Sequence, residues 1–256
     1  MKAPGEYAKI MLPELTFPYL IPGQEVLLDD GKIHLKIVEK AENVSENGGE
    51  NTQGKRYFAK VLWGGLLKSR KSAALPGAKI YPPTLTNSDL ANIKIAKEMG
   101  VTGVMQPFVR DHSDLECVKE ALREAGAEDI RLFAKIENMD GVRKLEKLLP
   151  AADEIVIARG DLGNAVHLWD LPGVQRQISE KCRAAGKPFM VVTQMLASME
   201  RSPVPTRAEV NDIFHAVMDG AASIMVTGET AVGDYPVEVI RYMVNTVRSA
   251  ENEENR

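Results

Sequence analysis

The chain is poor in the residues that mark several common classes. Only two cysteines, Cys117 and Cys182, occur in 256 residues. That count excludes a disulfide scaffold and the usual cysteine-rich metal sites. Their positions in expected helices suggest two buried thiols and a reducing compartment. Aromatic residues make up 5% of the chain. No apolar stretch approaches the roughly 20 residues of a membrane span, and M-K-A-P-G-E-Y at the start has no signal-peptide character. Positive charge is not in excess, since the net charge is −4. Nothing therefore attracts nucleic acid or an anionic membrane. The expectation is a cytoplasmic protein. The four histidines, His34, His112, His167 and His215, show no pairing at metal-ligand spacing on one helix, so an ordinary structural role is expected for each.

What the chain does have is four short polar strings, each closing an apolar run. They are A-K-I-E-N (134–138), A-R-G-D-L-G (158–163), T-Q-M-L (193–196) and T-G-E-T-A (227–231). The runs before them, Ile130–Phe133, Ile155–Ile157, Phe189–Val192 and Ile224–Val226, read as buried parallel strands. Polar residues at the carboxyl ends of successive parallel strands are where a β/α barrel keeps its chemistry. Lys135 and Glu137 are two residues apart on one strand, so they share a face. Asp161 supplies a second carboxylate at the next strand end. A cation beside a carboxylate, with another carboxylate adjacent, can hold a divalent metal and steady an anionic substrate. The alternative is a salt-bridge layer inside a barrel.

The organisation changes near Pro76–Pro83. Residues 26–38 hold two strand-like runs around an Asp-Gly turn, a hairpin signal. Residues 42–54 are polar and Gly-rich and read as a mobile loop, and 57–63 read as a strand. Residues 3–75 are expected to form a small all-β domain. After Pro83 a helix is expected at 87–100, a strand at 103–108 and a helix at 114–125. Strands at 130–136, 154–159, 188–193 and 222–227 then alternate with helices at 141–149, 172–185, 206–219 and 236–251. This repeated grammar implies a parallel sheet over 76–256.

These strings, with G-K-P-F-M-V-V-T-Q-M-L (186–196), P-T-R-A-E (205–209) and T-G-E-T-A-V-G-D-Y-P (227–236), resemble the pyruvate kinase family in order and spacing. The resemblance runs from about Pro22 to Glu251 and is strongest from Gly103 onward. It implies an α/β fold: an incomplete TIM-type β/α barrel, about five of eight units, with a small β-barrel lid domain. Three preceding strand–helix units and a C-terminal regulatory domain of the family have no counterpart here. Met1–Tyr7 is faintly similar to the end of the family's third unit. The activity implied is phosphoryl transfer from phosphoenolpyruvate to ADP, giving pyruvate and ATP in glycolysis.

By resemblance, Lys135 is the catalytic lysine, and Glu137 and Asp161 are the ligands of Mg²⁺, for which Mn²⁺ can substitute. Gly160 and Asp161 would offer backbone amides to the substrate carboxylate, although a tight turn equally explains Gly160 and Gly163. Thr193 would lie beside the enolate carbon and act through water, since a threonine hydroxyl is a poor acid at neutral pH. Arg110 would face the mouth, with a surface ion pair as its alternative. Thr227 and Glu229 would order the substrate pocket. Arg207 matches a residue that reaches across a subunit interface, which implies a homo-oligomer or a complementing chain.

The sequence also departs from the family. Gln106 and Pro107 replace small residues, Ala165 replaces an acidic one, and Thr227 stands where serine is usual. The groups that bind the phosphate and K⁺ in the family's second and third strands match no segment. The isolated chain is therefore expected to have little pyruvate kinase activity. Two other readings remain: a Mg²⁺-dependent lyase or aldolase working through a pyruvate enolate, and a non-catalytic, regulatory protein that binds pyruvate-like acids or a partner.

Overall fold

The computed structural model describes residues 8–29, 31–41, 56–69 and 71–254. The expected mobile loop at 42–54 and the family-like start at Met1–Tyr7 lie outside the described residues. The chain divides into two compact units between Pro82 and Pro83.

The first unit opens with a 3₁₀ turn, Glu14–Tyr19, and holds β1 (Glu25–Leu28), β2 (Ile33–Lys40), β3 (Tyr57–Trp63) and β4 (Ala73–Ala74). All pairings are antiparallel, in the order β3-β2-β1-β4. β1 and β2 pair antiparallel as expected, with Leu28 opposite Ile33. The described strands form an open row, not a closed barrel. Val26, Leu28, Ile33, Leu35 and Ile37 bury one face together with Leu20 and Leu75.

The second unit runs α1 (Asn87–Ala96), β5 (Gly103–Gln106), α2 (His112–Glu124), β6 (Arg131–Ile136), α3 (Met139–Arg143), α4 (Leu145–Leu148), β7 (Glu154–Ala158), α5 (Arg159–Ala165), α6 (Leu171–Ala184), β8 (Phe189–Val192), α7 (Arg207–Met218), β9 (Ser223–Met225), α8 (Gly228–Ala231) and α9 (Pro236–Glu254). A 3₁₀ turn, Ala197–Glu200, lies between β8 and α7. The five strands pair in sequence order and all in parallel. This is the α/β alternation that the sequence implied.

Period-two alternation gives the sheet two apolar faces. Leu132, Ala134, Ile136, Ile155, Ile157 and Val191 join the main core with helical residues such as Leu115, Leu148 and Ile178. Val156, Ala158 and Val192 form a smaller cluster on the other face with Phe133, Met190 and Met225.

Several expectations need correction. The helix expected at 141–149 is two short helices, because Lys144 leaves helical geometry at φ −100°, ψ 10°. β5 stops at Gln106, since Pro107 cannot donate to the ladder. Cys182 is buried, and burial pushes its thiol up to about 12. Cys117, expected to be buried, is exposed. Val118 lies on the buried stripe of α2, and Cys117, one residue back, is rotated about 100° away from it. Among the described residues, no helix is long and apolar enough to cross a membrane.

The N-terminus of α2 carries a buried charge cluster. Arg110 clasps the Asp114 carboxylate through Nε at 3.1 Å and Nη2 at 2.6 Å. The Arg110 amide and the Thr84 hydroxyl donate to the same carboxylate, at 2.8 and 2.5 Å. Burial alone would raise the Asp114 carboxyl, but these donors outweigh it and bring it down to about 2. A depressed carboxyl contributes stability above its ordinary range, and that contribution fades as pH falls toward the folded value. Urea unfolding of the wild type should therefore lose about 2 kcal/mol at this site between about pH 4 and pH 2. Asp114→Asn, less stable at neutral pH, should show a correspondingly flatter pH dependence in that window. An unchanged slope would contradict this assignment.

Candidate active site at the carboxyl ends of the parallel strands

β6 and β7 pair through Ile136 and Ile157. Glu137 follows β6 directly, and Asp161 lies in the first turn of α5, which begins where β7 ends. Both carboxylates thus leave adjacent strands at one edge of the sheet.

Glu137 is 3% exposed. A carboxylate so buried needs partners for both oxygens. Lys135 Nζ lies 2.7 Å from Oε1. The Phe108 amide donates to Oε2 at 2.7 Å. That second bond depends on the corner after β5, where Phe108 takes a left-handed φ of 51°. Gln106, buried beneath, donates to the Thr84 and Pro107 carbonyls. The Gln106–Pro107 pair thus builds the corner that presents an amide to Glu137.

The loop after Glu137 is fastened to the same corner. Asn138 caps α3 by accepting from the Gly141 amide, and its Nδ2 donates to the Val109 carbonyl. A Cβ at Gly141 would stand 2.6 Å from that carbonyl oxygen, so the approach requires glycine.

Each oxygen of a carboxylate has about two lone-pair directions. The contacts with Lys135 and Phe108 leave capacity on Glu137 for a cation. Among the described residues there is no group of three or more His, Cys, Asp or Glu side chains able to hold a metal alone. Mg²⁺, however, is commonly held by one or two carboxylates, with water and substrate oxygens completing its shell. The hard oxygen donors of Glu137 and Asp161 fit that pattern.

Residues Arg159, Gly160 and Asp161 form the first turn of α5, where backbone amides have no partner within the helix. Gly160 faces the end of β8: a Cβ there would lie 3.5 Å from Thr193 Cγ2 and 3.7 Å from Oγ1. Thr193 has φ 77° and Gln194 φ 53°. A β-branched residue in that region is an outlier costing about 1–3 kcal/mol, a form of strain that clusters at functional sites. The Thr193 hydroxyl donates to the Val192 carbonyl at 2.5 Å.

Glu229 is buried and ties two strand ends together. Its Oε1 accepts from the Leu196 amide at 3.2 Å, and its Oε2 from the Thr227 amide at 2.8 Å. Arg110 is engaged with Asp114, the ion pair left open by the sequence. Arg207 is exposed at the start of α7, whose capping box is closed by Thr206 and Glu209.

Sequence reasoning passed over Arg159 and Asp212. Arg159 Nη1 pairs with Asp212 Oδ2 of α7 at 2.6 Å, while Nε and Nη2 donate to the Thr193 carbonyl at 3.3 and 2.7 Å. Arg159 stands openly in the R-G-D-L-G string. Asp212 is 53 positions away and carries no local signal.

A family model described as "Pyruvate kinase, barrel domain" matches residues 6–240. The chain is 40% identical over 233 residues to the pyruvate kinase of Geobacillus stearothermophilus, covering 90% of this chain and 38% of that protein. The pyruvate kinase of Bacillus licheniformis is 38% identical over 229 residues, covering 90% of this chain and 37% of the relative. That of Chlamydia trachomatis serovar D is 34% identical over 241 residues, covering 94% and 47%. The chain thus spans less than half the length of these relatives. With the family model covering most of its length, and its charged strand ends gathered at one edge of a parallel sheet, the chain belongs to the pyruvate kinase family.

Proposed function

We propose that this chain carries the pyruvate-handling half of a pyruvate kinase site, and that with the remaining family segments it transfers phosphoryl from phosphoenolpyruvate to ADP. The observation that supports this most is the buried Glu137 carboxylate, held by Lys135 on one oxygen and by the Phe108 amide on the other. Glu137 and Asp161 would hold Mg²⁺ or Mn²⁺, which supplies charge neutralisation for the developing anion.

The residues of the chain divide the remaining work. Lys135 is a quarter exposed, so its ammonium is anchored at Glu137 yet open to an incoming anion. Phosphoryl transfer depends mainly on positioning and charge stabilisation of this kind. The first-turn amides of Gly160 and Asp161 would receive the substrate carboxylate. Thr193 commits its proton to Val192, so its lone pairs are available to a water that delivers a proton to carbon. Glu229 and Thr227 keep the loop ends in register around that position. Arg207 would meet a second subunit, and Arg110 supports the wall through Asp114 in place of contacting substrate directly. The family's K⁺ and nucleotide groups have no counterpart among these residues, so ATP formation would require them from elsewhere.

The test is proton exchange at the methyl group of pyruvate, followed by NMR in D₂O with the purified chain and Mg²⁺. Exchange should exceed a metal-only control, while a coupled assay should show little or no ATP formation. Glu137→Gln and Asp161→Asn should each reduce exchange by about 100-fold or more, the scale of losing a positioned charge in a preorganised site. Lys135→Met should reduce it less. A folded, Mg²⁺-binding chain with no exchange above control would leave a pyruvate-binding protein as the better reading. Ordinary pyruvate kinase turnover from this chain alone would overturn the division into halves.

A further inference from the structure

We infer that Arg159 is a positioning residue that clamps the strained Thr193–Gln194 peptide, with Asp212 fixing the clamp. The inference rests on the reading above, in which Thr193 handles a proton, but its geometry stands apart from that reading. The Thr193 carbonyl belongs to a peptide plane flanked by two left-handed residues, at φ 77° and 53°. The orientation of that plane sets ψ of Thr193 and φ of Gln194 together. Arg159 donates to this carbonyl from Nε and Nη2, so a planar fork grips the oxygen from two directions. Nη2 also lies 2.7 Å from Met195 Sδ, one residue further along the turn.

The clamp is itself held. Arg159 is 13% exposed, and its third nitrogen, Nη1, pairs with Asp212 at 2.6 Å. Asp212 lies on α7, so the guanidinium connects the end of β7, the turn after β8 and a later helix. Arg159 also immediately precedes Gly160, where an added Cβ would come within 3.5 Å of the Thr193 side chain. One residue thus holds the Thr193 carbonyl while the position beside it faces the Thr193 side chain. Releasing the carbonyl would let Thr193 relax toward an extended conformation and swing its hydroxyl off the strand end.

The experiment uses the full chain and two independent readouts. The first is the Cα and Cβ chemical shifts of Thr193 and Gln194, which respond to the backbone torsions of each residue. In Arg159→Met they should move toward extended-residue values, and in Asp212→Asn they should move the same way by less. Arg176→Met, which breaks an exposed pair with Glu180 on α6, should leave them in place. The second readout is pyruvate methyl exchange. Arg159→Met should lower it by about tenfold to 100-fold, as a small misplacement of a reacting group does, with Mg²⁺ affinity unchanged. Free guanidinium at a non-denaturing concentration should restore part of the exchange in Arg159→Ala, which a general loss of stability would not allow. Arg159→Lys keeps the charge but cannot hold Asp212 and the Thr193 carbonyl together, so it should behave like a partial loss. If Arg159→Met fails to fold, Arg159→Lys and Asp212→Asn carry both measurements. Unmoved Thr193 shifts in folded variants would overturn the clamp, as would moved shifts with undiminished exchange. Absence of exchange in the wild type would count against the functional reading alone, and the shifts would still decide the clamp.

Discussion

A parallel sheet sends every strand the same way, so every turn that follows a strand emerges at one edge. In this chain five strands, β5 to β9, pair in sequence order without a crossover to a distant neighbour. Residues far apart in sequence therefore arrive side by side because of the register of the sheet alone. Lys135, Glu137, Gly160, Asp161, Thr193, Thr227 and Glu229 all belong to strand ends or first turns on that edge. The apolar runs that precede them do not touch the chemistry, yet their pairing decides which polar groups become neighbours.

Placing charge at such an edge carries a desolvation cost, and the structure answers it with crossed connections between successive turns. Glu137, after β6, is held by an amide from the corner after β5. Arg159, after β7, reaches the turn after β8 and then α7. Glu229, after β9, reaches back to the turn after β8. Each turn is thus secured by the one beside it. Backbone strain gathers at the same place: within the second unit, the described non-glycine residues with positive φ are Phe108, Thr193 and Gln194, all at these strand ends. Backbone held away from its preferred regions persists only where surrounding bonds over-determine it. Here those bonds come from the buried charges.

The alternating strands and helices were legible in the sequence because short β-branched runs and Gly-closed helices are local signals. The Lys135–Glu137 pairing was also legible, since a spacing of two fixes a shared face. What was not legible depended on distance or on one residue's detail. Lys144 divides the helix expected at 141–149 although nothing in its type announces a break. Cys117 lies in the expected helix but off its buried stripe. Arg110 found Asp114 four residues ahead, the ion pair that the sequence had left open beside a place at the mouth. Pro107 was visible in the sequence as a residue able to reshape the corner after β5. Its consequence, an amide aimed at Glu137, required the fold.

The central claim is that Glu137 and Asp161, from adjacent strand ends, share one divalent ion. Crystals of this chain grown with Mn²⁺ and measured at the manganese absorption edge test it most directly. The account predicts one anomalous peak within coordination distance of both carboxylates, about 2.0–2.3 Å from an oxygen of each. A peak bound elsewhere on the molecule, with Glu137 still held only by Lys135 and the Phe108 amide, would contradict it.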